Sequence, residues 1–457
     1  MYNIDLNRAE NHYELTELVR MFLPPSQYRV VEGTEVREED GPLIRIPEGL
    51  TDKNEAKRYL YRTLREALGT GPDWGVLTGV RPVRLAGDYL RAGHSLEETG
   101  TYLREYFYLT EERAGLVLDV LALQLEVAGT PPPGGVGLYI GIPFCPSRCL
   151  YCSFTSNQVK QPQIDAYLEA LFREIAFAGE EMGRLGWYPE SVYIGGGTPT
   201  TLSAAELERL LRHVRQLLPM ENCREFTVEA GRPDTITEEK LRVMTEQGVG
   251  RSCVNPQSMK AETLERIGRR HGPREVREAL LLMKQAEMPV VNADLIAGLP
   301  EETPEDFLAS LEEMIALGPE NITVHTLAVK RASRLKELDG EYSYRQEERT
   351  RAMLDGGRKL LKKAGYRPYY LYRQKQSAGN FENVGYALPG TESLYNIRIM
   401  EENQSIVALG AGGVSKLWHP AENRLERIPN VSNYEIYIRN IEEMMERKRK
   451  GLFIRRK

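Results

Sequence analysis

From residue 137 onward the chain alternates short apolar runs with amphipathic stretches. The runs are GLYIGI (137–142), SVYIGG (191–196), EFTVEA (225–230), RSCVNP (251–256), VVNADLIAG (290–298) and NITVHTLAV (321–329). Their length and β-branched content predict strands. The intervals carry apolar residues at helical spacing, as at Ile164, Tyr167, Leu168, Leu171, Phe172 and Ile175. Ser203 and Glu206 form an S-x-x-E capping box, and Thr303 stands before Pro304, a cap followed by proline at the first helical position. Six β–α repeats in succession predict a parallel sheet with right-handed crossovers. Functional residues are then expected at the carboxyl ends of the strands. Periodicity leaves open whether such a sheet closes, stays open or stops as three-quarters of a barrel.

The flanks read differently. Helical patterns at 55–68 and 97–128 surround a Gly- and Arg-containing stretch, GVLTGVRPVRL (75–85), and the run TPPPGG (130–135) reads as a linker. Beyond about 330 the repeat is lost. A charged segment (331–351), a helix at about 343–364, a Tyr/Gly-rich stretch (366–390), ALGAGGVSKLW (408–418) and a final helix with the basic tail RKRKGLFIRRK follow. The expected organisation is an N-terminal α+β module (1–130), a β–α unit (131–335) and a C-terminal α+β domain covering the substrate (336–457).

Composition narrows the class. The 457 residues exceed one ordinary core, and 41% hydrophobic with 28% charged residues is the balance of a globular chain. Sixty Lys and Arg against 66 Asp and Glu give a net charge of −6, which excludes a globally basic nucleic-acid binder. No apolar run reaches membrane-spanning length, and MYNIDLNRAENHYELTELVR has neither the basic nor the apolar region of a secretory signal. A cytoplasmic protein is expected.

The five cysteines carry the candidate chemistry. Cys145, Cys149 and Cys152 form a CxxxCxxC directly after the first strand of the repeat. Three thiolates on a short loop can hold three corners of a cubane iron–sulfur cluster, leaving the fourth iron open, as catalytic zinc sites leave a position open. A zinc knot or inert buried thiols are the other readings, although no fourth Cys or nearby His completes a closed zinc site. Cys223 and Cys253 lie near or within strands and read as core thiols. Gly195-Gly196-Gly197-Thr198-Pro199 follows the second strand; it is a tight turn or a backbone cradle, and lacks the Lys of a phosphate loop. Glu229, Gln257 and Asp294 read as polar ends of the third, fourth and fifth strands, costly to bury without partners, although each alone also serves as a cap or packing group. His325 ends the sixth.

The CxxxCxxC, with Tyr151 just before its third Cys, resembles the signature of the radical S-adenosylmethionine (SAM) superfamily. LYIGIPFCPSRCLYCSF, YIGGGTPTTL, FTVEAGRPDT, VNPQSM, LERIGRRH, NADLIAGLP and RQKQSAGNFENVGYALPG, in that order, each resemble segments of the oxygen-independent coproporphyrinogen III oxidase family, in the subgroup with an extra N-terminal domain. The resemblance implies an α/β fold, a (β/α)6 partial TIM-like barrel. It implies a [4Fe-4S] cluster on Cys145, Cys149 and Cys152, with SAM on the open iron. It places Tyr139, Gly195, Gly196, Gly197, Thr198, Glu229, Gln257, Arg269 and Asp294 around SAM, the carboxylates toward its amino or ribose groups and Arg269 toward its carboxylate. The 408–413 stretch is then either a wall of the site or a Gly-rich turn. Arg367 and Arg373 are candidates for substrate carboxylates.

The implied reaction is anaerobic decarboxylation of coproporphyrinogen III to protoporphyrinogen IX. Its partners are the porphyrinogen and a one-electron donor such as flavodoxin or ferredoxin. Two positions depart from the oxidase pattern. Phe154 stands where a further Cys is usual, and Gly141 where a His is usual. A sister group resembling haem chaperones also lacks that Cys, so a haem-binding role and a reaction on another porphyrin stay open.

Overall fold

A computed structural model describes residues 1–6, 11–31, 41–50, 52–152, 157–328, 342–375 and 377–454. Near the N-terminus, β1 (Tyr2–Asp5), β2 (Tyr28–Val31) and β3 (Leu43–Arg45) form a parallel sheet in the order β2-β1-β3. All six strands expected from the repeat are present: β4 (Gly135–Ile142), β5 (Tyr188–Gly196), β6 (Glu225–Val228), β7 (Arg251–Gln257), β8 (Val290–Ala297) and β9 (Asn321–Thr326). Each pairs in parallel with the next in sequence. That order, with helices between successive strands, is the winding of a β/α barrel. Both sheet faces are covered, so these strands are buried almost throughout. The helix Ala204–Leu217 starts with the expected Ser203/Glu206 box, and Thr303 caps the helix Pro304–Leu317.

The C-terminal stretches do not build a sheet of their own. β10 (Arg367–Arg373) and β11 (Glu382–Ala387) add antiparallel strands beyond β9, whereas β12 (Ile406–Leu409), β13 (Val414–His419) and β14 (Arg424–Pro429) continue the sheet from β4. Among the described residues the order is β10-β11-β9-β8-β7-β6-β5-β4-β12-β13-β14. The sheet therefore runs across the 335/336 division read from the sequence. A six-stranded parallel sheet leaves two unpaired edges, and the chain beyond residue 342 occupies both. Most of the charged 331–351 segment lies outside the described residues up to 341.

Two expected helices are interrupted. The 97–128 pattern divides into Leu96–Glu105 and Glu111–Val127, because Tyr108 takes a left-handed φ of 59° and Thr110 caps the second helix. The 343–364 pattern becomes a short turn, Tyr342–Arg345, and a helix, Glu347–Lys363. The N-terminal third is fastened to the barrel by buried ions. Arg113 lies 3.2 Å from Asp73, 3.1 Å from Asp355 and 3.0 Å from Glu382. Trp74 Nε1 donates to the same Glu382 at 3.0 Å. At the base of the barrel Arg398 donates to Glu190 and to the carbonyls of Ala128 and Gly129. Among the described residues no helix is long and apolar enough to cross a membrane.

Candidate functional site

The cysteine loop leaves β4 and is stitched down at several points. Cys145 N–H donates to the Asn157 carbonyl at 3.1 Å, and Asn157 Nδ2 returns a bond to the Pro143 carbonyl at 3.0 Å. Leu150 N–H bonds the Ile267 carbonyl at 3.0 Å, and Cys152 N–H closes a turn onto the Cys149 carbonyl at 3.2 Å. Cys149 is buried, and Cys145 and Cys152 are half-buried. Thr198 Oγ1 donates to Cys145 Sγ at 3.6 Å, and Arg232 Nη1 to Cys149 Sγ at 3.8 Å. Burial pushes the Cys145 thiol up, and its two partner cysteines raise it further.

The glycine run is zipped to this loop by backbone. Gly197 N–H donates to the Ile142 carbonyl at 2.8 Å and Thr198 N–H to the Phe144 carbonyl at 2.7 Å. A Cβ on Gly197 would stand 2.4 Å from the Phe144 oxygen, and Gly196 has φ +112°, so side chains are excluded where the two loops meet. A Cβ on Gly195 would meet Glu229 Oε2 at 2.7 Å. The Tyr139 hydroxyl lies over Gly196, 3.1 Å from where its Cβ would be.

Glu229 stands one residue beyond β6. It accepts from the Tyr193 hydroxyl and, at 3.3 Å, from Gly196 N–H. Burial is the main cause that pushes its carboxyl up to about 7, with Asp294 adding to it. Gln257 ends β7 as expected, in a left-handed conformation (φ 73°), and its buried Oε1 has no hydrogen-bond partner among the described residues. Asp294 is not at a strand end: it lies inside β8, three residues before Ala297, beside His325 Nε2 at 3.6 Å. His325 Nδ1 meets the Tyr372 hydroxyl at 3.3 Å, to which Gln374 Nε2 donates at 3.2 Å. Tyr193 stacks on Tyr395 with centroids 4.6 Å apart and faces Tyr139 at 6.5 Å.

Arg269 follows the short helix Ala261–Arg266 and donates Nη2 to the Tyr151 hydroxyl at 2.7 Å. Its Nε and Nη1 are buried with no partner among the described residues. A guanidinium with two unmet donors and an amide with an unmet acceptor are costly beside a sulfur-rich loop. They fit a ligand carrying both a carboxylate and an ammonium group. Among the described residues no three His, Cys, Asp or Glu side chains close on one point for a single ion. A cubane makes no such demand, because its cysteine ligands hold separate corners. The residues present fit a cluster with SAM beside it.

Other expectations change. Arg373 is fully engaged, with Nε and Nη2 on the Asn380 carbonyl at 3.2 and 3.0 Å, and its guanidinium lies over Trp74, 4.9 Å from the ring centre. Arg367 bonds Glu126 and Glu392 and lines a cavity of about 730 Å3 at the amino end of the strands. Neither arginine faces the site. Ala408-Leu409 belongs to β12 and Gly410–Gly413 turns into β13; Gly410 N–H bonds Glu174 at 2.7 Å and Ala411 N–H the Tyr167 hydroxyl at 2.9 Å. Cys253 is buried and accepts from Gly231 N–H at 3.3 Å. Burial pushes the Cys223 thiol up to about 11. Phe154 lies outside the described residues. Arg232, Tyr193, Tyr372 and His271, which is buried within electrostatic reach of Arg269 and Arg232, are not singled out by sequence pattern; a local signal is the Arg-Pro pair four residues beyond β6.

Comparison with known proteins agrees with this geometry. The radical SAM superfamily model matches residues 139–314. The oxygen-independent coproporphyrinogen-III oxidase-like protein HemZ of Bacillus subtilis is 38% identical over 434 residues, covering 92% of this chain and 86% of its own. The chain belongs to this oxidase-like family of radical SAM proteins. A second relative, the heme chaperone HemW of Lactococcus lactis, is 31% identical over 60% of this chain and 68% of its own. The fold matches the solved structure of Escherichia coli coproporphyrinogen III oxidase HemN with a TM-score of 0.55 at 22% identity, over 71% of this chain and 73% of that one. The architecture is thus the partial barrel of radical SAM proteins, whose cofactors are a [4Fe-4S] cluster and SAM.

Proposed function

We propose that this chain is an enzyme that oxidatively decarboxylates propionate side chains of coproporphyrinogen III to vinyl groups, giving protoporphyrinogen IX. The observation that carries the reading is the inward face of the barrel. Tyr139, Tyr193, Asp294, His325 and Tyr372 lie within strands and Glu229 one residue beyond one, and all six are half-buried. Aromatic faces suit a flat macrocycle, and a polar row on otherwise apolar strands suits a site that fills on binding. The identity to HemZ extends across nearly the whole chain, N-terminal region included, which further supports an oxidase-like role.

In this reading Cys145, Cys149 and Cys152 hold three irons. The free nitrogens of Arg269 take the SAM carboxylate. Glu229, Gln257 and Asp294 take its ammonium and ribose, Gly195–Gly197 let it lie against the backbone, and Tyr139 and Thr198 bound it. When bound, the cluster and SAM would supply the one-electron chemistry needed to take a hydrogen atom from a propionate. A propionate that has lost that hydrogen atom would release CO2 and pass one electron to an external one-electron acceptor, leaving a vinyl group. The tyrosine-lined interior orients the ring and keeps water out. A flavodoxin or ferredoxin is the proposed electron donor, the cytoplasm the proposed location, and the N-terminal 130 residues the proposed support of the barrel wall.

A second reading, haem binding and delivery, is favoured by one position. A Cβ on Gly141 would stand 3.2 Å from the Ala411 carbonyl oxygen and 3.4 Å from Tyr139 Cε1, so the His of the oxidase pattern would be crowded there. Anaerobic reconstitution followed by SAM, dithionite and coproporphyrinogen III separates the two. Protoporphyrin formation together with 5′-deoxyadenosine supports the oxidase reading; tight haem binding without turnover overturns it in favour of the second.

A further inference from the structure

A buried cation sits against the second cysteine of the loop. Arg232 follows β6 in the AGRPDT segment and is 4% exposed, while Cys149 is 7% exposed. Besides aiming Nη1 at Cys149 Sγ across 3.8 Å, Arg232 is gripped from behind by Asp234, with Nε on Oδ1 at 3.1 Å and Nη2 on Oδ2 at 3.4 Å. The backbone is fixed as well. Thr235 Oγ1 donates to the Arg232 carbonyl at 2.8 Å, and Thr200 and Thr235 share a hydroxyl bond at 2.6 Å that ties this turn to the one following the glycine run. An arginine in a strand-end turn is ordinarily solvated. Here the guanidinium has been drawn inward and locked with Nη1 turned to sulfur.

We propose that Arg232 is a positioning residue that raises the reduction potential of the iron–sulfur cluster by acting through Cys149. The inference rests on the reading that Cys145, Cys149 and Cys152 hold a [4Fe-4S] cluster. A [4Fe-4S]2+ core with three thiolates is already an anion. Taking one electron from a flavodoxin-class donor gives [4Fe-4S]+ and one more negative charge, with no bond made or broken in the protein. In a site shielded from water, a cation beside a ligand sulfur favours that electron. Hydrogen bonds to the sulfurs act in the same direction. Asp234 opposes the effect, but its carboxylate is on the far side of the guanidinium and 28% exposed against 5% for Arg232, so the field at Cys149 stays positive. Two substitutions of opposite sign follow. Arg232→Gln lowers the potential, Asp234→Asn raises it, and Arg232→Lys, which keeps the charge but loses the fork, falls between wild type and Arg232→Gln.

The test uses full-length protein reconstituted under anaerobic conditions, with iron counted per chain and the reduced cluster followed by electron paramagnetic resonance during a dithionite titration. The expected change for Arg232→Gln is about tenfold in the one-electron equilibrium constant, about 59 mV downward. Full iron loading with an unmoved potential in Arg232→Gln overturns the proposal. If that variant loads poorly, Asp234→Asn decides: an upward shift supports the proposal and an unmoved potential overturns it. A merely structural arginine would change the melting temperature and not the potential. Failure of the underlying reading is seen separately, as wild-type loading that Cys149→Ser leaves untouched.

Discussion

Replacing Glu229 by Gln separates what the site costs the fold from what it gives to binding. The carboxyl is pushed from 4.5 up to about 7, first by burial and then by Asp294, against the bonds from Tyr193 and Gly196 that hold it down. At about 1.4 kcal/mol per pH unit, the ionised form is about 3 kcal/mol less welcome in the folded apoprotein than in the unfolded chain. The folded state therefore holds a proton that the unfolded state has released between pH 4.5 and about 7. Stability falls as pH rises through that window and levels off above it. The Glu229→Gln variant has no such dependence. Its amide keeps an acceptor for Tyr193, but the second oxygen, which receives Gly196 N–H at 3.3 Å, becomes an amide donor in one orientation, costing about 1 kcal/mol.

The expected result in urea denaturation of the apoproteins is a stability difference that depends on pH. At about pH 8 the variant is more stable by about 2 kcal/mol; at about pH 5 the two are nearly equal. Glu302 and Glu401, both also pushed up to about 7 by burial, are common to both proteins and cancel. SAM affinity of the reconstituted protein moves the other way, weakening by roughly tenfold or more at about pH 8, where a neutral amide faces the ammonium group. A stability difference of the same size at both pH values would refute the account of Glu229, whatever happens to SAM.

Three further outcomes follow from distances in the fold. Cys145→Ser, at a half-buried position whose sulfur meets Thr198, should keep the far-ultraviolet circular dichroism of wild type while iron loading and 5′-deoxyadenosine formation collapse. Gly197→Ala places a Cβ 2.4 Å from a backbone carbonyl, and the two loops must part; a loss of about 2–3 kcal/mol in thermal or urea melts, with weaker SAM retention in equilibrium dialysis, is expected. Arg113→Met leaves Glu382, its side chain 3% exposed, without its cation, while Asp73 keeps Arg351; the loss should reach about 3–5 kcal/mol, and adding Glu382→Gln should recover part of it.

What the sequence discloses and what it conceals divides along contact distance in the chain. The six strands, the cysteine spacing and the glycine turn are written in contiguous residues, so their pattern survives reading without a fold. Asp294 reads as a polar strand end although the apolar run continues past it, and β8 runs on to Ala297. Arg232 escapes such a reading because its meaning depends on Cys149, 83 positions earlier. Arg367 and Arg373 are over-read for the same reason in reverse. Aromatic neighbours make them look like substrate ligands, while some of their partners, Glu126 and the carbonyls of Leu77 and Gly79, lie hundreds of residues away.

The edge of the sheet explains the departure at residue 141. β12 lies parallel to β4 with Leu409 opposite Ile140, and the turn that follows is pinned from below by Glu174, which also receives Tyr437, Asn430 and Lys448. That buried carboxylate and its donors fix Gly410 so close that its own Cβ would meet the Gly141 oxygen at 2.5 Å. Gly141 in turn accepts the Tyr167 hydroxyl at 2.6 Å. A side chain at 141 would press on the Ala411 carbonyl, 3.2 Å from its Cβ, so the way the C-terminal strands close this edge favours a small residue there. A histidine at 141 would have to shift that turn by a few tenths of an ångström. The inward imidazole on the barrel strands is His325, on the opposite wall between Asp294 and Tyr372. On the barrel strands an imidazole is offered from β9, across the cavity from where the sequence pattern looks for it, and a second one, His271, is buried among Arg269, Arg232 and Asp234.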